Sequence, residues 1–258
     1  MDKGHIKWAL FFTLVHIKLS RITNDKNYYL SFVIRYVNLI STEVTRGWCN
    51  HLNHMDKDKT SEFLTKEQII AATQETLRRF GVAKTSVTDV AKLLGVSHGT
   101  IYRHYKSKKE LLEGVTAQWL EDEIIAPLTA IAKDQSYNGE GTRHLKVYIE
   151  VLIARKRHYA ESDAELFEMY ARVTQESADI IAKHVQHLVR HLSEIIQQEN
   201  HFQFNKPDVV ATAILQATAR FHHPAHAYEW QSPTIDAEFA QVWLLIEKGL
   251  LHLEQERE

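Results

Sequence analysis

The sequence predicts an all-α protein: an N-terminal three-helix head built on a helix-turn-helix, followed by a larger helical domain. Three observations predict it. Among 258 residues there are only nine Gly and four Pro, too little punctuation for a turn-rich β fold, while Ala, Leu, Glu, Gln and Lys abound and favour helices. Capping-box pairs, a hydroxyl residue with Gln, Asp or Glu three positions later, recur at Thr65/Gln68, Ser86/Asp89 and Ser107/Glu110. Charge is also segregated: residues 65–110 carry nine Lys/Arg against four Asp/Glu, whereas residues 111–258 carry 13 against 23. A compact basic block beside an acidic one suits a small part that meets a polyanion and a larger part that does not.

Residues 1–54 read differently from the rest. The apolar runs at 8–17 and 28–34 are too short for a membrane span of ~20 residues, and no small-residue cleavage site follows the first. This stretch is expected to be upstream sequence included in the gene assignment, or a disordered extension, with translation starting at Met55; the alternative is a membrane-associating extension. The lone Cys49 rules out an intramolecular disulfide framework.

The head then spans 55–112. Thr65 opens a helix whose broad face holds Ile69, Ile70, Ala72, Thr73, Thr76, Leu77 and Phe80, stopped by Gly81. Ser86 opens a second, with Val90, Ala91 and Leu94 as its buried stripe and Gly95 at its end. After Val96-Ser97-His98 a third begins at Gly99, burying Ile101 and Tyr105 and leaving Ser97, His98, Thr100, Tyr102, Arg103 and His104 outward. Small Ala91 at the crossing and Gly95 at the turn are what a DNA-reading helix-turn-helix needs, and the outward groups have the reach for base edges and phosphates. Ser107 caps a long helix whose positive start, beside Lys108, suits a phosphate.

The stretch TSVTDVAKLLGVSHGTIYRHYKSKKELL resembles the DNA-binding domain of the tetracycline-repressor (TetR/AcrR) family. Thr85-Ser86, Val90-Ala91, Gly95-Val96-Ser97, Thr100-Ile101-Tyr102, Tyr105, Lys108 and Leu111 fall where the family's pattern puts them, with Tyr105 where many members carry Phe. The resemblance covers residues 64–112. It implies an all-α homodimer whose C-terminal domain, residues 113–258, binds a small-molecule effector and dimerises, on double-stranded operator DNA in the cytoplasm, nucleoid-associated. Carried over residue by residue, Ser97, His98, Gly99, Thr100 and Tyr102 face the major groove. Thr85, Ser86, Tyr102, His104 and Lys108 hold phosphates, and Arg103 does either.

Beyond the head, helices are expected at 108–125, ending before Pro127, at 127–133 and at 142–159. A segment at 162–172 is either separate or the start of a helix reaching Asn200. A further helix opens at Pro207, and a last one spans 234–254. A pocket is expected among these helices, lined by Trp119, Tyr148, Leu152, Phe167, Tyr170, Phe221, His222 and His226. The resemblance implies that the helices from 207 and 234 pair with their copies, through Ala213, Ala217, Phe239, Val242, Trp243, Ile246 and Leu250. His184, His187 and His191 share a helix face, and His222, His223 and His226 cluster. Both sets would suit a metal- or haem-responsive regulator, though solvated or packed histidines are the preferred reading and no cofactor or metal is expected. A Gly-rich phosphate loop, a GxSxG elbow and HExxH are all missing from the sequence, so an enzyme is not expected. A helical adaptor without DNA binding would have lost the polar residues of the third helix, which are intact.

Overall fold

The computed structural model describes residues 64–137, 139–140, 142–198 and 204–255. The expectations for residues 1–54 and for Met55 lie outside them. Ten α-helices and no strand occur among the described residues, and none of these helices is long and apolar enough to cross a membrane.

The head is three helices, each started by a hydroxyl side chain that accepts from a free N–H. In α1, Lys66–Lys84, the capping box forms in both directions: Gln68 N–H donates to Thr65 Oγ1 at 3.2 Å, and Thr65 N–H to Gln68 Oε1 at 2.9 Å. The helix breaks at Gly81 (φ 75°) and a last turn, Val82–Lys84, follows. Ile69, Thr73, Thr76 and Leu77 are buried, but Phe80 is 52% exposed. The helical stripe runs on past the elements that cover it, because the chain turns at the next residue. In α2, Val87–Leu94, Val90 and Ala91 are buried while Leu94 is only half-buried. Gly95 adopts the left-handed conformation (φ 66°, ψ 26°). Val96 N–H then returns to Ala91 C=O at 3.0 Å and Gly95 N–H to Lys92 C=O at 3.2 Å. This paired closure satisfies two end carbonyls and directs the chain into the next helix. That helix, α3, is His98–His104, capped by Ser97, so it starts one residue before Gly99.

The helix after Ser107 does not stop at Pro127. α4, Lys108–Leu120, widens into a π turn, Glu121–Ile125, and continues directly as α5, Ala126–Ala132. Pro127 sits in the first turn of α5, where a missing N–H is tolerated. A 3₁₀ turn, Gln135–Tyr137, leads to α6, Arg143–Ser162. The uncertain segment resolves into two helices, α7 (Ala164–Glu176) and α8 (Ala178–Gln198), parted at Ser177. α9 is Pro207–His222, a 3₁₀ segment covers Pro224–Glu229, and α10 is Ile235–Gln255.

α6 runs through the core: Leu145, Tyr148, Ile149 and Leu152 are fully buried. α7 packs on α1 and α4 as well as on α6, so one helix touches both head and core. Arg78 on α1 donates to Asp163 at 2.8 Å, and Lys109 Nζ donates to Glu176 C=O at 3.3 Å. The two ends of α7 are thereby tied to the head.

Candidate functional site

The outer face of α3 is polar and organised. Ser97 Oγ and Thr100 Oγ1 share a hydrogen bond at 2.8 Å, and Arg103 Nη2 donates to Thr100 Oγ1 at 3.3 Å. These three line one side at i, i+3 and i+6. On the other side the rings of His98 and Tyr102 meet edge-on, centroids 4.5 Å apart. Gly99 is exposed between them, and His104 is half-buried at the helix end. The result is one convex face with donors, acceptors and aromatic edges in a width of two helical turns, the shape that enters a major groove.

Three of the expected phosphate contacts are differently committed. Thr85 is buried and its hydroxyl donates to Gly81 C=O at 2.8 Å, so it closes α1 and does not reach outward. Ser86 caps α2, accepting from Asp89 N–H at 3.2 Å. Lys108 donates to Val82 C=O at 2.9 Å and is held below the usual lysine range by partial burial and the Arg172 charge. It braces α4 against the end of α1.

What holds α3 at its angle is a contact absent from the sequence-based candidates. Tyr105 is buried at the end of α3, and Gly114 on α4 lies directly against it; a Cβ on Gly114 would sit 2.8 Å from Tyr105 Cε1. Gly114→Ala should therefore cost about 1–3 kcal/mol in urea unfolding. Unchanged stability would show that Tyr105 can move aside freely.

The second site is a buried cage in the larger domain. Lys156 on α6 is 1% exposed. Its Nζ lies 3.9 Å from the Tyr170 ring centre and 5.4 Å from that of Trp119. No acceptor reaches this nitrogen. Burial alone holds the amine well below its usual range. His184 on α8 and His222 on α9 are both pushed down, first by burial and then by Lys156, His222 to about 3. Of the expected pocket residues, Trp119, Phe167 and Tyr170 pack together here, Trp119–Tyr170 at 5.2 Å and Phe167–Tyr170 at 5.7 Å. His222 stands within electrostatic reach of the lysine.

The others are elsewhere. Tyr148 bonds His191 Nδ1 at 3.0 Å further along α6, with Leu152 buried between. Phe221 packs on Phe239 of α10 at 5.3 Å, and His226 pairs with Glu229 at 2.8 Å on the surface. Lys156 itself sits in the basic run Arg155-Lys156-Arg157, yet it follows Leu145, Ile149 and Leu152 at helical spacing. That periodicity is the signal that places it inward.

Comparison with known proteins settles the family. A profile described as "Bacterial regulatory proteins, tetR family" matches residues 69–115, and "Tetracyclin repressor-like, C-terminal domain" matches residues 141–243. The chain belongs to the tetR family. It is 41% identical over 51 residues to the HTH-type transcriptional regulator TtgR of Pseudomonas putida, across 20% of this chain and 24% of that protein. The chain thus aligns with about a quarter of the length of that curated relative. It is 24% identical over 173 residues to the nucleoid occlusion factor SlmA of Shewanella woodyi, covering 65% of this chain and 85% of that one. A solved structure of a transcriptional regulator from Pseudomonas aeruginosa PAO1 shares the fold with a TM-score of 0.51 at 17% identity, over 74% of this chain and 90% of that one.

In this tetR-family chain the apolar stripe of α10 divides. Phe239, Trp243 and Leu250 are buried in the chain's own core, and Val242 and Ile246 are half-buried. Leu245 (75% exposed), Leu244 and Leu251 on α10 remain outward, as do Val209, Ala213 and Ala217 on α9. Two helical turns of small and apolar residues on α9 thus lie open to solvent, and α10 presents leucines. The solvated-histidine expectation for α8 is corrected: His184 and His191 are buried, and only His187 of the three faces solvent in part, beside Glu121. No group of three metal-capable side chains comes together among the described residues.

Proposed function

We propose that the chain is a dimeric, cytoplasmic transcriptional repressor that binds a two-fold operator through α3 and releases it when a small molecule occupies the larger domain. The observation that carries this is the outer face of α3: a convex, capped helix presenting Ser97, His98, Thr100, Tyr102 and Arg103 beside a basic block. The family is by its description one of regulatory proteins, which accords with a non-enzymatic role. His104 and Lys106 flank the face for phosphates, and Lys108 adds its charge while bracing α4.

The open α9 and α10 faces support dimerisation. Their exposed leucines, valine and alanines leave apolar side chains open on both helices, and α-helices with small residues approach closely. Pairing of two copies sets two recognition helices about 34–36 Å apart, one turn of DNA. Leu245→Glu should yield monomers in sedimentation and weaken DNA binding at least tenfold; a fully dimeric variant would move the interface elsewhere.

Release is read through α4 and α7. Both carry walls of the Lys156 cage, Trp119 and Tyr170, and both abut the head. A ligand that favours one spacing of these helices shifts the reading heads by differential affinity for the two arrangements. Selection from random duplex DNA, followed by retardation assays at moderate salt, tests the proposal. Recovery of a palindromic site bound by a dimer supports it. Binding to all fragments alike, with no site enriched, sinks it.

A further inference from the structure

The cage around Lys156 has a chemistry that selects its occupant. Trp119 comes from α4, Lys156 from α6 and Tyr170 from α7, and His184 on α8 and His222 on α9 lie within electrostatic reach of the lysine. A wholly buried ammonium needs a counter-charge, yet no carboxylate is bonded to Lys156 and no acceptor reaches its Nζ. Trp119 Nε1 and His184 Nδ1 are likewise buried donors or acceptors without a partner. Several unsatisfied polar atoms in one region of an otherwise apolar core mark a place where a partner belongs.

Aromatic walls alone would suit a cation, but Lys156 already stands on the Tyr170 ring and would repel one. Beyond them, Phe167 packs on Tyr170 and on Trp230, ring centres 5.7 Å apart in each case. A nearby surface cleft of about 160 Å³ shares Trp119, but its rim carries Glu67, Asp122 and Glu123. Arg78 lines it too, yet the cleft is acidic on balance and disfavours anions.

We propose that Lys156 anchors an effector site for a small organic monoanion, a carboxylate with an apolar or aromatic body. This rests on the reading of the chain as an effector-responsive regulator. The carboxylate pairs with Nζ, drawing it off the Tyr170 face, and the body packs against Trp119, Phe167 and Tyr170, whose touching rings part to admit it. One lysine with no arginine fork matches a single carboxylate better than a phosphate. Burial disfavours the charged form of the free amine, so pairing with a carboxylate favours its protonation. The other titratable groups facing Lys156 are Tyr170, His184, His222 and His223.

The test uses the full chain and matched probes: hexanoate, decanoate, benzoate and phenylacetate beside their carboxamides, by thermal shift and calorimetry. At least one acid is expected to bind tenfold or more tightly than its amide, with net proton uptake read in buffers of differing ionisation enthalpy. In Lys156→Met, which keeps the side-chain length and suits an apolar core, the preference and the proton uptake should both vanish. Equal binding of acid and amide, a preference that survives in the variant, or no acid binding at all overturns the proposal. Enrichment of a DNA site without any acid binding overturns this inference alone. Acid binding at Lys156 without DNA selection leaves the site standing and overturns the regulator.

Discussion

Replacing Thr100, Tyr102 and Arg103 together with alanine should lower affinity for the selected operator by about 10³-fold or more, bringing it near the level of random DNA. Each base contact is worth about 1–3 kcal/mol of discrimination, and the three side chains lie on the face that Ser97 and His98 complete. Tyr102 and Arg103 are exposed and Thr100 is half-buried, and alanine favours helix. The variant should therefore unfold within about 1 kcal/mol of the parent. Ser97 is left in place because it caps α3. A retardation assay on operator and scrambled duplexes reads the result. Retained preference for the operator would mean that sequence is read by another element.

The second large effect is on stability, and its sign is opposite. Lys156→Met should stabilise the fold by about 1–4 kcal/mol at neutral pH, the range seen when buried ionic groups give way to apolar ones of like volume. The pH dependence identifies the cause. The unfolded chain holds the amine near its ordinary value of 10.5, while the folded chain holds it well below. Between those two values the unfolded chain binds a proton that the folded chain does not. Stability should therefore climb with rising pH across that window, with a limiting slope of ~1.4 kcal/mol per pH unit. Below the folded value the penalty is complete, and above the unfolded value it is gone. Urea titrations from neutral pH to about 10 should show this climb in the parent and lose it in the methionine variant. A parent with no slope, or a variant less stable than the parent, would mean that the ammonium is satisfied where it lies.

Much of the head is legible from short-range pattern. A hydroxyl cap and its reciprocal partner three residues on, a glycine at a left-handed turn and an apolar stripe at three- and four-residue spacing act within one or two turns of chain. Ser97, Ile101 and Tyr105 take the places that spacing implies. The same logic reaches too far at Phe80, where the stripe continues but its cover does not. It reaches too short at Pro127, because a π turn carries the helix through a residue that usually ends one.

The larger domain is less legible because its chemistry depends on which helices meet. Trp119, Phe167 and Tyr170 do converge, while Tyr148, Phe221 and His226 lie apart, although all were aromatic or imidazole groups at helical positions. Phe239 and Trp243 have the spacing of an interface yet are used internally, and Leu245 is left outside in their stead. By itself the sequence determined the helices, their caps, the basic head and the family pattern, since these rest on interactions between residues close along the chain. Only the tertiary structure decided that Gly114 receives Tyr105, that Leu245 faces outward and that Lys156 is enclosed without a counter-charge. Burial is a property of neighbours brought in from distant segments, and it turns an ordinary lysine into a site.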